Sequence, residues 1–282
     1  MKYIISLHKF MNLILTSQDD LASLNIREKL LSLENWKKIG TFHNFPVYKS
    51  DRYYLVHIKV EKIRAEGIDM EIKKSLGIDF GTIIVASKHR SASNMKSLTV
   101  HPIGNWSVAE AGGKDYTVVP TNPYLMTEAL RLLKKNRVSD YNVSFEATHH
   151  GPYLETPTFF IEIGSTEEEW KDDKAGEAIA KTILALEEKR YPAALGFGGG
   201  HYVPRLTDVA LEYKISFGHM IPKYAVDNIN ERMIEDACRK SQNCRIAYIH
   251  RKGLNSSQRK LVESILDKIG VKTVSSKELE KL

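Results

Sequence analysis

The sequence predicts an α/β protein in which a mixed central sheet is flanked by helices. Apolar runs of about five to seven residues alternate with longer amphipathic stretches, which is the pattern of strands interleaved with helices. Hydrophobic residues make up 42% and charged residues 27% of the 282, the balance of a folded globular chain. The length suits one large domain or two that share an interface.

Strands are expected at 12–16, 53–60, 82–86, 98–103, 142–147, 159–163, 193–197 and 245–250, with hairpin strands across 41–60. The run at 142–147 alternates, setting Val143, Phe145 and Ala147 against Ser144 and Glu146. Ala193-Ala194-Leu195-Gly196-Phe197 is continuously apolar, as a strand buried on both faces is. Helices are expected at 20–32, 123–136, 172–190, 227–241 and 256–269. In the third, Ala175, Ile179, Ile183 and Leu186 recur at helical spacing, and Asp172 and Asp173 sit near the positive end of the helix dipole. No repeat or Gly/Ser linker divides the chain, so a soft boundary is expected in the Gly112-Gly113-Lys114 turn, between an N-terminal part (11–113) and a C-terminal part (114–282). Residues 1–10 are expected to be an extension ahead of a natural start at Met11; they lack the cleavage site of a secretory signal.

Mean hydropathy is −0.32, and no apolar run approaches the roughly 20 residues of a membrane helix, which excludes a membrane protein of that kind. Cys238 and Cys244 are too few for a disulfide scaffold or a four-cysteine zinc ribbon, so a reducing cytoplasm is expected. Charge is uneven. Residues 239–282 hold 11 basic and four acidic side chains, a local +7 in a chain of net +6. Arg239, Lys240, Arg245, Arg251, Lys252, Arg259 and Lys260 could follow a phosphate backbone or form a solvated helix face.

Five histidine clusters sit at or beyond strand ends, where α/β sheets place binding groups: 87–91, 101–106, 146–152, 198–202 and 217–220. His149 and His150 leave an alternating strand and are expected to point opposite ways, ahead of a Gly-Pro turn. Imidazole serves both as base and as zinc ligand, so both roles stay open beside a purely structural one. Gly198-Gly199-Gly200-His201 allows close backbone approach to an anion or oxyanion. It lacks the Rossmann and P-loop spacings, and no helix start is expected immediately after it, which argues against a nucleotide fingerprint. Glu162, amid Phe159-Phe160-Ile161 and Ile163, is paired, protonated or metal-bound if it faces inward.

Taken together, these segments resemble the archaeal and plant type of D-aminoacyl-tRNA deacylase, formerly called D-tyrosyl-tRNA deacylase. The resemblance runs in order through Ser87-Lys88-His89-Arg90-Ser91, His101-Pro102-Ile103-Gly104-Asn105-Trp106, 147–152, Phe160-Ile161-Glu162-Ile163-Gly164-Ser165 with Trp170, 198–205, and Gly218-His219 with Lys223-Tyr224-Ala225. The first 60 and last 40 residues match only in length and general pattern. The resemblance implies hydrolysis of the ester joining a D-amino acid to the terminal ribose of tRNA. It also implies zinc, and a fold similar to peptidyl-tRNA hydrolases and nucleoside phosphorylases.

On that footing His101, His149 and His201 are the expected zinc ligands, with Glu162 as ligand or base and His150 as general acid or base. The N–H groups of Gly199 and Gly200 are expected to face the oxyanion. His89, Arg90, Asn105 and His219 are expected to contact substrate, and Arg251, Lys252, Arg259 and Lys260 the tRNA body. A metal-free version, in which His150 or the neighbouring ribose hydroxyl assists water, remains open. The expected state is a cytoplasmic monomer acting on D-aminoacyl-tRNA. Alternatives are a peptidyl-tRNA hydrolase, a nucleoside hydrolase or phosphorylase, or a non-catalytic tRNA-binding protein.

Overall fold

The computed structural model describes residues 11–92 and 94–282, and the expected extension at 1–10 lies outside them. In chain order the first half contains β1 (Asn12–Ser17), α1 (Leu21–Leu33), β2 (Lys37–Phe42), β3 (Phe45–Lys49), β4 (Tyr53–Ile58), α2 (Ile68–Leu76), β5 (Ile83–Arg90), β6 (Ser97–Pro102) and α3 (Pro123–Asn136). Then follow β7 (Asn142–Phe145), β8 (Thr158–Ser165), α4 (Glu167–Trp170), α5 (Asp173–Leu184), β9 (Ala193–Phe197), α6 (Pro204–Glu212), β10 (Ser216–Ile221), α7 (Glu231–Lys240), β11 (Ile246–Ile249), α8 (Ser256–Lys268) and β12 (Lys272–Val274).

Eight strands form a mixed sheet in the order β2-β3-β4-β1-β5-β8-β6-β7. β4, β1, β5 and β8 run parallel; β6 opposes β8, and β7 runs with β6. Four further strands form a wholly parallel sheet, β10-β9-β11-β12. The sheets change between β8 and β9, whereas both sides of the expected boundary at 112–114 contribute to the large sheet.

One face of the large sheet presents Ile14, Ile84, Ile161 and Ile163 to apolar residues of α1, α3 and α5, and this core continues to Ala194, Phe217 and Tyr248 of the small sheet. The α7 and α8 helices cover the opposite face of the small sheet through Ile234, Val262 and Leu266. On the other face of the large sheet, Leu13, Leu15, Ile83, Val85 and Phe160 pack with Ile68 and Ile72 of α2. That face turns polar beyond Val85, because Ser87 and His89 follow on the same side at a period of two.

Helix α5 stops at Leu184, short of the expected 190, where residues at the start of β4 take its terminal carbonyls: the Tyr53 hydroxyl donates to Ile183 O at 2.6 Å and Arg52, just before the strand, donates to Leu184 O. The expected helix at 227–241 is split by Asn230, whose side chain accepts from Met233 N–H and starts α7 afresh. A helix does follow the glycine run: α6 begins at Pro204, with proline in its favoured first-turn position. The 217–220 cluster is strand interior in β10, and α2, β10 and β12 are elements the periodicity did not mark.

Candidate active site

Sheet register assembles the first part of the site. Ser87 of β5 lies opposite Glu162 of β8, His89 opposite Gly164, and His101 of β6 opposite Phe160, so these side chains share one face at the centre of the sheet. Gly164 makes room for the imidazole, since a Cβ there would stand 2.9 Å from His89 Cδ2. The second part arrives on the segment leaving β7. Glu146 N–H still pairs with Val100 O of β6, but Ala147 N–H donates to His201 O and Thr148 N–H to Met220 O, both beyond the change of sheet. This crossing brings Glu146, His149 and His150 between the sheets, beside the glycine loop that carries His201.

Glu146 is the hub. It is fully buried, with Oε1 3.2 Å from His89 Nδ1 and Oε2 2.9 Å from His201 Nε2 and 3.5 Å from His149 Nε2. Neither oxygen makes a hydrogen bond of good geometry. Glu162 faces inward at 3% exposure, 3.5 Å from His101 Nε2 and 3.7 Å from His89 Nδ1. Burial by itself would raise the Glu146 pKa, but His201 and His89 hold it well below the usual carboxylate value. Burial likewise opposes charge on His89, and the two carboxylates overcome it, raising its pKa to about 10. His89 is therefore a buried cation clamped between Glu146 and Glu162, its Nε2 2.9 Å from the Tyr202 hydroxyl. Burial and neighbouring histidines lower His149 and His150, the latter to about 3.

Three imidazoles are oriented alike. His101 Nδ1 lies 3.2 Å from Pro102 O, His149 Nδ1 2.8 Å from Ala147 O and His150 Nδ1 2.6 Å from Gly151 O. A carbonyl only accepts, so each ring donates from Nδ1. The neutral rings of His149 and His150 then keep an Nε2 lone pair, the arrangement of a backbone-oriented metal ligand or base, whereas at His101 burial opposes charge but Glu162 outweighs it and raises the pKa. Ligand atoms of His101, His149 and His150 lie within 4.8 Å of one another; so do those of His89, Glu146 and His201, and of His101, Glu146 and Glu162. His101 Nε2 is buried and has no hydrogen-bond partner. Free buried donor atoms of nitrogen and oxygen type suit zinc.

The expected ligand triad is redistributed. His101 and His149 group with His150, while His201 groups with His89 and Glu146. His149 and His150 both line the cavity instead of pointing apart, because His150 adopts a left-handed φ of 45°, which breaks strand alternation. Gly199 N–H points to Gly253 O at 3.5 Å and away from an oxyanion role; Gly200 N–H has no acceptor among the described residues. His89 lines the cavity with little exposure, its Nδ1 turned to the Glu146 and Glu162 carboxylates. Asn105 is a loop brace, donating to Gly112 O and Lys114 O. Arg90 is exposed, lines the cavity and lies over the Trp170 ring.

His219 is another correction, since it is wholly buried inside β10. Its Nε2 donates to Val119 O at 2.9 Å and its Nδ1 accepts from Thr148 Oγ1 at 3.2 Å, which braces the strand end before His149. Burial lowers its pKa from 6.5 to about 3. The neutral ring's contribution to stability is thus complete above pH 6.5 and is lost as pH falls toward 3. The His219→Gln variant, which keeps a donor and an acceptor, is expected to show a shallower loss of stability across that window. Urea unfolding at pH 7 and pH 4.5 checks this, and parallel pH profiles would refute it.

The histidine and carboxylate groups surround an open cavity of about 480 Å³ that Asp20, Lys62, Ser87 and Lys88 also line. Sequence reasoning passed over Asp20 and Lys62, met Ser87 and Lys88 only as part of the 87–91 cluster, and gave Glu146 no definite role. Asp20 lies at the expected start of a helix, and Lys62 in a charged stretch of the kind usually solvated, so neither carried a signal.

Fold and site together describe a hydrolytic centre: neutral imidazole nitrogens and an anionic carboxylate around a solvent-accessible cavity, on a protein with no nucleotide fingerprint. The family profile described as D-aminoacyl-tRNA deacylase matches residues 76–274. The D-aminoacyl-tRNA deacylase of Thermococcus kodakarensis is 38% identical over 272 residues, covering 94% of this chain and 99% of that protein. That of Pyrococcus furiosus is 40% identical over 270 residues, with the same coverage. A crystal structure of a conserved protein of unknown function, AF0625, superposes with a TM-score of 0.90 at 33% identity, covering 97% of this chain and 99% of the other. The chain belongs to the D-aminoacyl-tRNA deacylase family.

Proposed function

We propose that this chain hydrolyses the ester of D-aminoacyl-tRNA, releasing the free D-amino acid and reusable tRNA, and that it holds zinc at His101, His149 and His150. The observation carrying this reading is the group of three backbone-oriented imidazoles, with ligand atoms within 4.8 Å of one another, beside one cavity in a member of this family. When bound, zinc supplies Lewis acidity that makes water nucleophilic near neutral pH. Charged His89 keeps Glu146 anionic, and Glu146 in turn orients His201. His201, 35% exposed at the cavity mouth, gives the departing ribose oxygen its proton. Gly200 N–H faces the oxyanion. As a translation-quality enzyme the protein works in the cytoplasm; no helix among the described residues is long and apolar enough to cross a membrane.

D-tyrosyl-tRNA is expected to be deacylated by catalytic amounts of protein while L-tyrosyl-tRNA survives. Equal cleavage of both, or protection of both, would overturn the reading.

The C-terminal basic stretch is proposed to hold the tRNA body. Arg251 is paired with Glu263, while Lys252 and Lys260 are exposed and form none of the ion pairs among the described residues. Changing Arg251, Lys252, Arg259 and Lys260 together to glutamine is expected to weaken binding. It should also flatten the dependence of log affinity on log salt by up to about 0.9 for each lost phosphate contact. Turnover at saturation should hold, since such contacts act on ground and transition states alike. A salt slope equal to the parent's would assign this charge to a solvated face.

A further inference from the structure

The wall of this cavity also carries a lysine that the hydrolytic reading leaves unused. Lys62 follows β4 on a single helical turn and is only 5% exposed, and its ammonium contacts the carboxylate of Asp20, itself 3% exposed. Burying such a pair strips both ions of water and is a poor device for stability alone. Asp20 is held rigidly: Oδ1 accepts from Ser23 N–H at 2.8 Å as the cap of α1, and Oδ2 accepts from Lys88 N–H at 2.9 Å. The Ser87 hydroxyl adds a long contact at 3.5 Å. An ammonium has three N–H donors, and Asp20 is the one acceptor of Lys62 among the described residues. Lys62 and Asp20 line the same cavity as His149, His150, Glu162 and His201.

We propose that Lys62 is an electrophilic catalytic residue of the deacylation, donating a hydrogen bond to the ester carbonyl oxygen as that oxygen becomes negative. This rests on the deacylase reading. Water adds to the carbonyl carbon, the bond to the ribose oxygen breaks, and that oxygen takes up a proton; Lys62 keeps its own proton throughout. Burial lowers the Lys62 pKa, and Asp20, which fixes the ammonium, opposes that shift. The ammonium is thus preorganised toward charge that develops only in the transition state, where such donors act most strongly.

The test uses the full chain, single-turnover hydrolysis of D-tyrosyl-tRNA, and binding of a tRNA whose D-tyrosyl group is held by a non-hydrolysable amide. Because Lys62→Met alone would strand the Asp20 carboxylate, the principal variant is Lys62→Met with Asp20→Asn. Lys62→Gln, which retains a donor for Asp20, covers failure of the double variant to fold, with thermal unfolding as the check. Both are expected to bind the amide within about threefold of the parent and to hydrolyse the ester about 100- to 1,000-fold more slowly, the loss seen when one oxyanion donor is removed. A folded variant with the parent's rate would overturn the assignment and leave a structural ion pair. Weakened binding with unchanged turnover at saturation would also overturn it, making Lys62 a phosphate contact. A parent inert toward D-tyrosyl-tRNA would overturn the deacylase reading itself, and this assignment with it.

Discussion

Glu146→Gln is expected to slow single-turnover hydrolysis of D-tyrosyl-tRNA by at least about 1,000-fold, within the range by which a positioned acid–base group accelerates proton transfer. The amide keeps the shape of the carboxylate and removes its charge. Glu146 is wholly buried and stands against three imidazoles, so no water replaces what is lost. His89, whose pKa is held near 10 by Glu146 and Glu162 against the effect of burial, loses the nearer of its two carboxylates. His201 loses the partner 2.9 Å away that orients it. Removing one member of a buried charged pair also costs about 3–5 kcal/mol, so the variant should melt at lower temperature while remaining folded at 25 °C. A folded Glu146→Gln protein within tenfold of the parent rate would reduce Glu146 to a structural brace.

The second large effect concerns the metal. Dialysis against a strong chelator is expected to abolish hydrolysis, and zinc to restore it. His149→Ala with His150→Ala should lose stoichiometric zinc, measured by elemental analysis, and hydrolyse no faster than the spontaneous reaction. The reason is orientation: each ring donates from Nδ1 to a backbone carbonyl and leaves Nε2 as a free lone pair. His201→Ala should retain zinc and lose activity, because His201 pairs with Glu146 and stands outside the three-histidine group. Loss of zinc in His201→Ala with retention in the double variant would move the metal to His89, Glu146 and His201.

These outcomes follow from features of unequal visibility in the chain. Alternation at 142–147 and the apolar runs at 159–163 and 193–197 are short-range patterns, and each of these stretches contains a strand. The histidine loops were visible because glycine, proline and small polar residues surround them. Their partners were not. Glu146 sits on the alternating side of its strand that reads as solvent-facing, and a single sequence does not reveal that this face meets a second sheet. His219 stood among the candidates because Gly218 precedes it, the same signal that marks His201; only burial in β10 separates it from His201, which lines the cavity.

By itself, the sequence determined the α/β class, most strands, the histidine loops and the local excess of positive charge, because each depends on residues close together in the chain. Tertiary structure alone decided the change of sheet after β8, the grouping of His150 with His101, the hub at Glu146 and the pairing of Lys62 with Asp20. Those depend on contacts between residues tens of positions apart. Their energies come from desolvation and mutual charge, which exist only once the sheets close over the cavity and exclude water from its walls.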